Sequence, residues 1–169
     1  MLLTRIVHGI DRFNTAICNL SMWLMIPLVG IMLYEVIARY CFHSPTVWGT
    51  ELSMMVFGAY IIFSGPSSIL DKVQVGVDIF SSRWQPRTRA IVNSLTYGFV
   101  FIFFFYLFKT SLMYAIEAWQ LKELSSSAWG QPVYHWKALV PVAVGLMGLQ
   151  SVAEFLRNVW HAFTGEEME

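Results

Sequence analysis

Formal charge is scarce in this sequence and is missing from long stretches of it. Asp, Glu, Lys and Arg make up 13% of the 169 residues, about half the share that is usual in soluble domains. None of the 11 acidic and 11 basic residues falls within four windows, 13–34, 52–70, 90–108 and 138–153. A helix of a water-soluble protein needs a polar face, and these windows have none. The sequence therefore predicts an integral membrane protein.

Other shortages exclude further classes of protein. Basic and acidic residues are equal in number, so no basic excess exists that could bind nucleic acid. The two cysteines, Cys18 and Cys41, are too few for a disulfide framework. On one continuous helix they would lie roughly 35 Å apart, whereas a disulfide needs Cα atoms within about 7 Å. Both are expected to be free thiols.

The four windows predict the architecture. A hydrocarbon layer of about 30 Å needs roughly 20 helical residues, and the alternation typical of membrane strands is absent. We therefore predict a single all-α membrane domain over 1–169 with four transmembrane helices at about 13–34, 52–70, 90–108 and 138–153. The last window is short, so a re-entrant hairpin is an alternative there. Pro66 predicts a kink near the end of the second span, and Ser44-Pro45 predicts the start of that helix.

Two helical segments reach beyond these windows. Apolar residues recur at helical spacing over 2–13, which predicts an amphipathic helix on the cytoplasmic membrane surface. The third helix has no breaker from Thr88 to Glu123, with Leu112, Ile116 and Trp119 on one stripe of its extension. That extension should tilt, bend along the surface or cover a partner.

The basic residues between the windows predict the orientation of the chain. Seven Lys and Arg residues lie on the side of the N-terminus, and four lie on the other side. Because cytoplasmic loops carry the excess of basic residues, both termini are expected in the cytoplasm.

Few side chains are candidates for chemistry. Ionisable residues deep in a span usually mark an ion path, and no window contains one. Glu35 and Arg39 are four residues apart with the acid first, which favours a helical ion pair. The four histidines lie at or beyond the span ends, and no cluster has zinc spacing. Most tryptophans track the predicted interfaces, as in an aromatic belt. The sequence thus indicates no enzyme, no cofactor and no metal.

One segment resembles a known family. Residues 39–52 read R-Y-C-F-H-S-P-T-V-W-G-T-E-L, similar to the R-Y-x-F-x-x-P-x-x-W-x-x-E-L pattern of the small membrane subunit of tripartite ATP-independent periplasmic (TRAP) transporters, the DctQ-type small permease. Val77-Asp78 matches a second landmark of the family, although Gln74 replaces the usual histidine and Gly76 a frequent cation. Pro141 followed by Gly145 resembles the opening of the family's fourth span.

The resemblance implies a function and partners. It implies a multi-pass protein of the bacterial inner membrane that acts as a scaffold for a large permease in sodium-driven uptake of an organic anion, without a substrate site of its own. The large permease would be a stable partner, and a periplasmic substrate-binding protein a transient one. Arg39, Trp48 and Glu51 would form an outer-edge cluster that sets the first two spans, and Asp78 would hold the inner turn. Trp119 and Pro141 are further candidates for structural or partner contacts.

Two other functions are alternatives. A four-helix anchor subunit of a redox enzyme would bind haem or quinone, but haem anchors hold iron between mid-membrane histidines. A small multidrug exporter would be shorter and would rely on a glutamate within its first span, where this sequence is uncharged.

Overall fold

The computed structural model describes residues 2–70 and 86–164, which form five helices. They are α1 (Leu2–Met22), α2 (Met25–Tyr40), α3 (Gly49–Leu70), α4 (Pro86–Gln120) and α5 (Tyr134–Thr164). The only β-type pairing within the described ranges is one isolated bridge between Leu124 and Pro132. Asp78, Gln74 and Gly76 lie outside the described residues.

Four stretches of helix are long and apolar enough to cross a membrane: Thr4–Tyr40, Gly49–Leu70, Thr96–Gln120 and Tyr134–Arg157. The prediction of an all-α fold with four spans is therefore confirmed. These stretches contain the predicted windows at about 13–34, 52–70 and 138–153 and overlap the one at about 90–108. The ends of the spans stay predictions. The orientation of the termini stays a prediction.

The first span contains a break that the sequence analysis did not predict. The predicted amphipathic helix does not end near Phe13, since α1 runs on to Met22 before the chain turns at Trp23 and Leu24. Proline 27 explains the break, because its ring clashes with the carbonyl four residues earlier and it has no N–H to donate. The carbonyl of Trp23 instead accepts a hydrogen bond from the N–H of Ile26, at 3.3 Å.

The start of α3 lies later than the predicted Ser44-Pro45. The helix begins at Gly49, whose N–H donates to the Oγ1 of Thr46 at 3.2 Å. Thr46 is thus the capping residue, and Pro45 lies in the preceding turn, which His43 enters with a left-handed φ of 54°. Pro66 lies inside α3, which continues through it to Leu70.

The third predicted helix is as long as its sequence suggested, because α4 has 35 residues. It ends in a Schellman motif: Lys122 takes a φ of 45°, and the N–H of Glu123 donates to the carbonyl of Ala118 at 3.0 Å. A hairpin-like loop over 121–133 then leads into α5, held by a bond from the N–H of Ser125 to the carbonyl of Gln131 at 2.7 Å.

Two helices form the centre of the bundle. α3 packs against α1, α2 and α5, and α5 packs against α1, α3 and α4. Many of the buried positions are small, as is usual where helices approach closely in membranes, and the buried alanines are Ala38, Ala59, Ala115, Ala118, Ala143 and Ala153. At the α3–α5 contact, a Cβ added to Gly65 would lie 2.8 Å from the sulfur of Met147. Gly65 therefore permits this close approach.

Candidate functional site

Glu35 is the centre of a polar cluster between α2 and the start of α3. Its carboxylate is buried and accepts a hydrogen bond from Arg39 at 2.6 Å, which confirms the predicted ion pair. It also accepts bonds from the backbone N–H of Thr46, at 3.2 Å, and from the Thr46 hydroxyl. Because Thr46 caps α3, Glu35 connects the end of α2 to the beginning of α3.

Trp48 packs beside this cluster. Its ring stacks on that of Tyr34 with centroids 5.7 Å apart and planes inclined by 19°. Two of the predicted outer-edge residues, Arg39 and Trp48, thus contact residues of α2 itself. The third, Glu51, has different partners.

Glu51 connects α3 to the loop between α4 and α5. Its two carboxylate oxygens accept hydrogen bonds from the hydroxyls of Ser125 and Ser127. Lys137, in the first turn of α5, forms an ion pair with Glu123 at 2.6 Å in the same loop. The 121–133 loop is therefore bonded to α3 and to α5. Arg39 and Trp48 thus belong to the cluster around Glu35, and Glu51 belongs to a second cluster with this loop.

A second polar network joins the middle of α1 to the second half of α5. The Asn14 Nδ2 donates to the Gln150 Oε1 at 2.6 Å, and the Gln150 Nε2 donates to the Asp11 Oδ1 at 2.8 Å. Arg157 donates to Asp11 and to Glu154. Asn14 and Gln150 have no exposed surface, and the Oδ1 of Asn14 has no hydrogen-bond partner. This network binds the first helix to the last.

The sequence analysis did not identify this network. Its only signal was the presence of the amides Asn14 and Gln150 within windows that carry no charge. Buried amides need hydrogen-bond partners, but their spacing of 136 residues gives no indication that the two would meet.

Trp119 and Pro141 lie at an apolar groove between α4 and α5. The groove encloses about 310 Å³ and is lined by Phe108, Leu112, Ala115, Ile116, Trp119, Ala138, Pro141 and Val142. Trp119 is half exposed and packs edge-on against Tyr134, with ring centroids 4.9 Å apart. The stripe predicted on the extension of the third helix thus lines one wall of this groove.

The chemistry that these clusters can perform is limited. Among residues 2–70 and 86–164, no group of three or more His, Cys, Asp and Glu side chains could hold a metal ion. The buried carboxylates of Glu35 and Glu154 are each bonded to an arginine on their own helix. The other bonds of the two networks join different elements of the fold, so the networks are suited to fixing helix positions.

Comparison with known proteins identifies the family. A model of the family described as "Tripartite ATP-independent periplasmic transporters, DctQ component" matches residues 28–160, about four fifths of the chain. The chain is also similar to the sialic acid TRAP transporter permease protein SiaT of Haemophilus influenzae (strain 86-028NP), with 29% identity over 83 residues. That segment is 48% of this chain but 13% of the relative, so the similarity spans a small part of the relative's length. Neither comparison supports a redox anchor.

Proposed function

The chain belongs to the DctQ component family of TRAP transporters, and from this membership we propose how it acts within such a transporter. A DctQ component is a small permease of the inner membrane and not an enzyme. The family match over 28–160 is the observation that carries the proposal. We propose that the chain forms a stable complex with a large permease subunit and works with a periplasmic substrate-binding protein. In this complex it serves as a scaffold and binds no substrate itself.

The two polar networks support a scaffold role. One fixes α2 to α3 through Glu35 and Thr46, and α3 to the 121–133 loop through Glu51. The other fixes α1 to α5 through Gln150. Together they join neighbouring elements at two separate places in the bundle, which favours a rigid body over one that opens and closes.

The outer residues have proposed roles within that rigid body. Arg39, Trp48 and Glu51 hold the turn between α2 and α3 and the loop above it, and Asp78 is proposed to do the same at the opposite membrane surface. Trp119 and Pro141 lie on a groove that is open at the surface of the bundle, where an apolar segment of the large permease or a lipid chain can pack.

The transported substrate is proposed to be an organic anion that carries a carboxylate, taken up with a sodium gradient as the energy source. The similarity to a sialic acid permease protein supports this class of substrate. Both termini are proposed to lie in the cytoplasm, as the distribution of basic residues predicts.

The first test is purification of the chain from cells that express it together with a large permease subunit. A tag on the chain, purification in mild detergent and mass spectrometry should recover the large permease in roughly equal amount. Recovery of the chain alone, or with a redox enzyme, would refute the proposed function.

The second test is transport by the purified complex. Proteoliposomes supplied with the periplasmic binding protein should accumulate a labelled carboxylate under an inward sodium gradient, and the same vesicles with a potassium gradient are the control. Equal uptake with both cations would refute sodium coupling. Uptake by vesicles that lack the small chain would refute the requirement for a scaffold.

A further inference from the structure

The depth of Lys109 follows from the way α4 packs against α5. A Cβ added to Gly145 would lie 3.4 Å from the ring of Phe108, and one added to Gly148 would lie 3.7 Å from the Cβ of Phe104. Further towards the start of α4 and the end of α5, the rings of Phe101 and Phe155 have centroids 5.3 Å apart. The helices are therefore antiparallel in a register that places Lys109 level with Gly145.

Gly145 lies near the middle of its span. Between Lys137, in the ion pair with Glu123, and the buried Glu154, α5 carries no charge. At 1.5 Å per residue, Gly145 is about 12 Å from the first of these residues and about 14 Å from the second. Lys109 is thus level with the middle of the uncharged stretch of α5, the part of that helix that fits the hydrocarbon layer.

Lys109 also points away from the rest of the bundle. Ala118 is buried against the bundle, and nine residues, or two and a half turns, place Lys109 on the opposite side of α4. Ile102, Tyr106 and Met113 lie on the same side as Lys109, and each is more than 60% exposed. We call these four residues the Lys109 face.

Lipid alone is a poor environment for this face. A lysine Nζ reaches about 6 Å from its Cα. This is about half the distance along the helix axis from Lys109 to the level of Lys137 or to the level of Glu154. A lysine at the centre of a span disfavours insertion by roughly 100-fold. Within the part of the chain that the structure describes, Lys109 has no hydrogen-bond or ion-pair partner.

The surroundings of Lys109 are also more polar than a lipid-facing surface requires. A shallow depression of about 410 Å³ is lined by Tyr106, Lys109, Thr110, Met113, Tyr114 and Glu117. Hydroxyl groups and one charge of each sign thus lie together on an exposed side of a membrane span. Such a surface complements polar groups of a neighbouring protein.

We propose that the Lys109 face is where the large permease packs on α4, and that a carboxylate on a membrane-spanning helix of that subunit accepts a hydrogen bond from the Lys109 ammonium. The proposal rests on the proposed function, since it presumes the complex. Charge complementarity selects a carboxylate, because an ammonium in the bilayer is stabilised by an acceptor of opposite charge.

The test compares three variants in the complex purified through a tag on the large permease. Lys109→Leu leaves the partner's carboxylate unpaired, so the recovered small chain should fall about tenfold or more. Lys109→Arg keeps the charge and should retain the complex. Lys122→Leu makes the same change in a loop outside the span, and it should leave recovery unchanged. Equal or higher recovery of Lys109→Leu, which a lipid-facing lysine predicts, would overturn the proposal.

A second measurement locates the contact directly. A benzophenone amino acid at position 113 should cross-link to the large permease on irradiation. Cross-links only to lipid or to a second copy of the chain, from a complex that remains intact, would overturn this inference and leave the proposed function standing. Failure of the wild-type chain to form the complex would overturn both.

Discussion

The hydrogen bonds of Gln150 are predicted to stabilise the contact between α1 and α5. Replacing Gln150 by Leu keeps the approximate volume and removes both the bond from Asn14 and the bond to Asp11. Asn14 would then be fully buried with neither amide atom bonded, since its Oδ1 already has no partner. Among single substitutions that leave the charges of this network intact, we expect Gln150→Leu to cause the largest loss of stability.

The magnitude follows from the bonds that are lost. Hydrogen bonds between membrane helices average about 0.6 kcal/mol in double-mutant cycles, so two contribute about 1 kcal/mol. Leaving the Asn14 amide buried without a partner adds about 1–3 kcal/mol. The free energy of unfolding of Gln150→Leu should therefore be lower by about 2–4 kcal/mol.

Reversible unfolding in mixed micelles with increasing SDS would measure this change. Asn14→Leu and the double variant complete a thermodynamic cycle. The loss of unfolding free energy in the double variant should be smaller than the sum of the two single losses, by about 1 kcal/mol or more. Leu149→Ala is the control, because Leu149 is the neighbour of Gln150 in the sequence, is 41% exposed and lies outside the network. Additive losses, or a Gln150→Leu effect no larger than that of Leu149→Ala, would refute the coupling.

Three further predictions concern the loop, the groove and the orientation. Glu51→Ala removes the acceptor shared by Ser125 and Ser127, so limited proteolysis should cut the 121–133 loop about threefold faster or more; an unchanged rate would show that these bonds do not order the loop. Trp119→Asp places a charge on the apolar groove, and less large permease should co-purify; full recovery would exclude the groove from the interface. A cysteine at position 78, in a chain without its native cysteines, should react with impermeant maleimide only from the cytoplasm; periplasmic labelling would invert the orientation.

The existence of the four spans could be predicted from the sequence because charge is excluded from the hydrocarbon layer. The depth of a residue near a span end could not be predicted, because a lysine at the edge of a span and a lysine within it look alike in a sequence. The packing of Phe108 against Gly145 shows that Lys109 lies level with Gly145 of α5. The break at Trp23 has a local cause in Pro27, although no break was predicted there.

In the candidate site, contacts between residues close together in the sequence could be predicted, and contacts between residues far apart in the sequence could not. The pairing of Glu35 with Arg39 follows from their spacing on one helix and could be predicted. The partners of Glu51 lie more than 70 residues away, and no spacing rule connects them. Trp48 was identified through the family pattern, yet its stacking on Tyr34 depends on the path of the turn between α2 and α3.

The link between the first and the last helix has a consequence for how the chain is made. Asn14 leaves the ribosome 136 residues before Gln150, an interval of about 7–27 s at synthesis rates of roughly 5–20 residues per second. During that interval Asp11 and Asn14 have none of their α5 partners, so α1 is held only by its packing against α3. Assembly of this bundle is therefore completed only after synthesis has passed Arg157, and chains that stop before Gln150 would leave Asn14 without its hydrogen-bond partner.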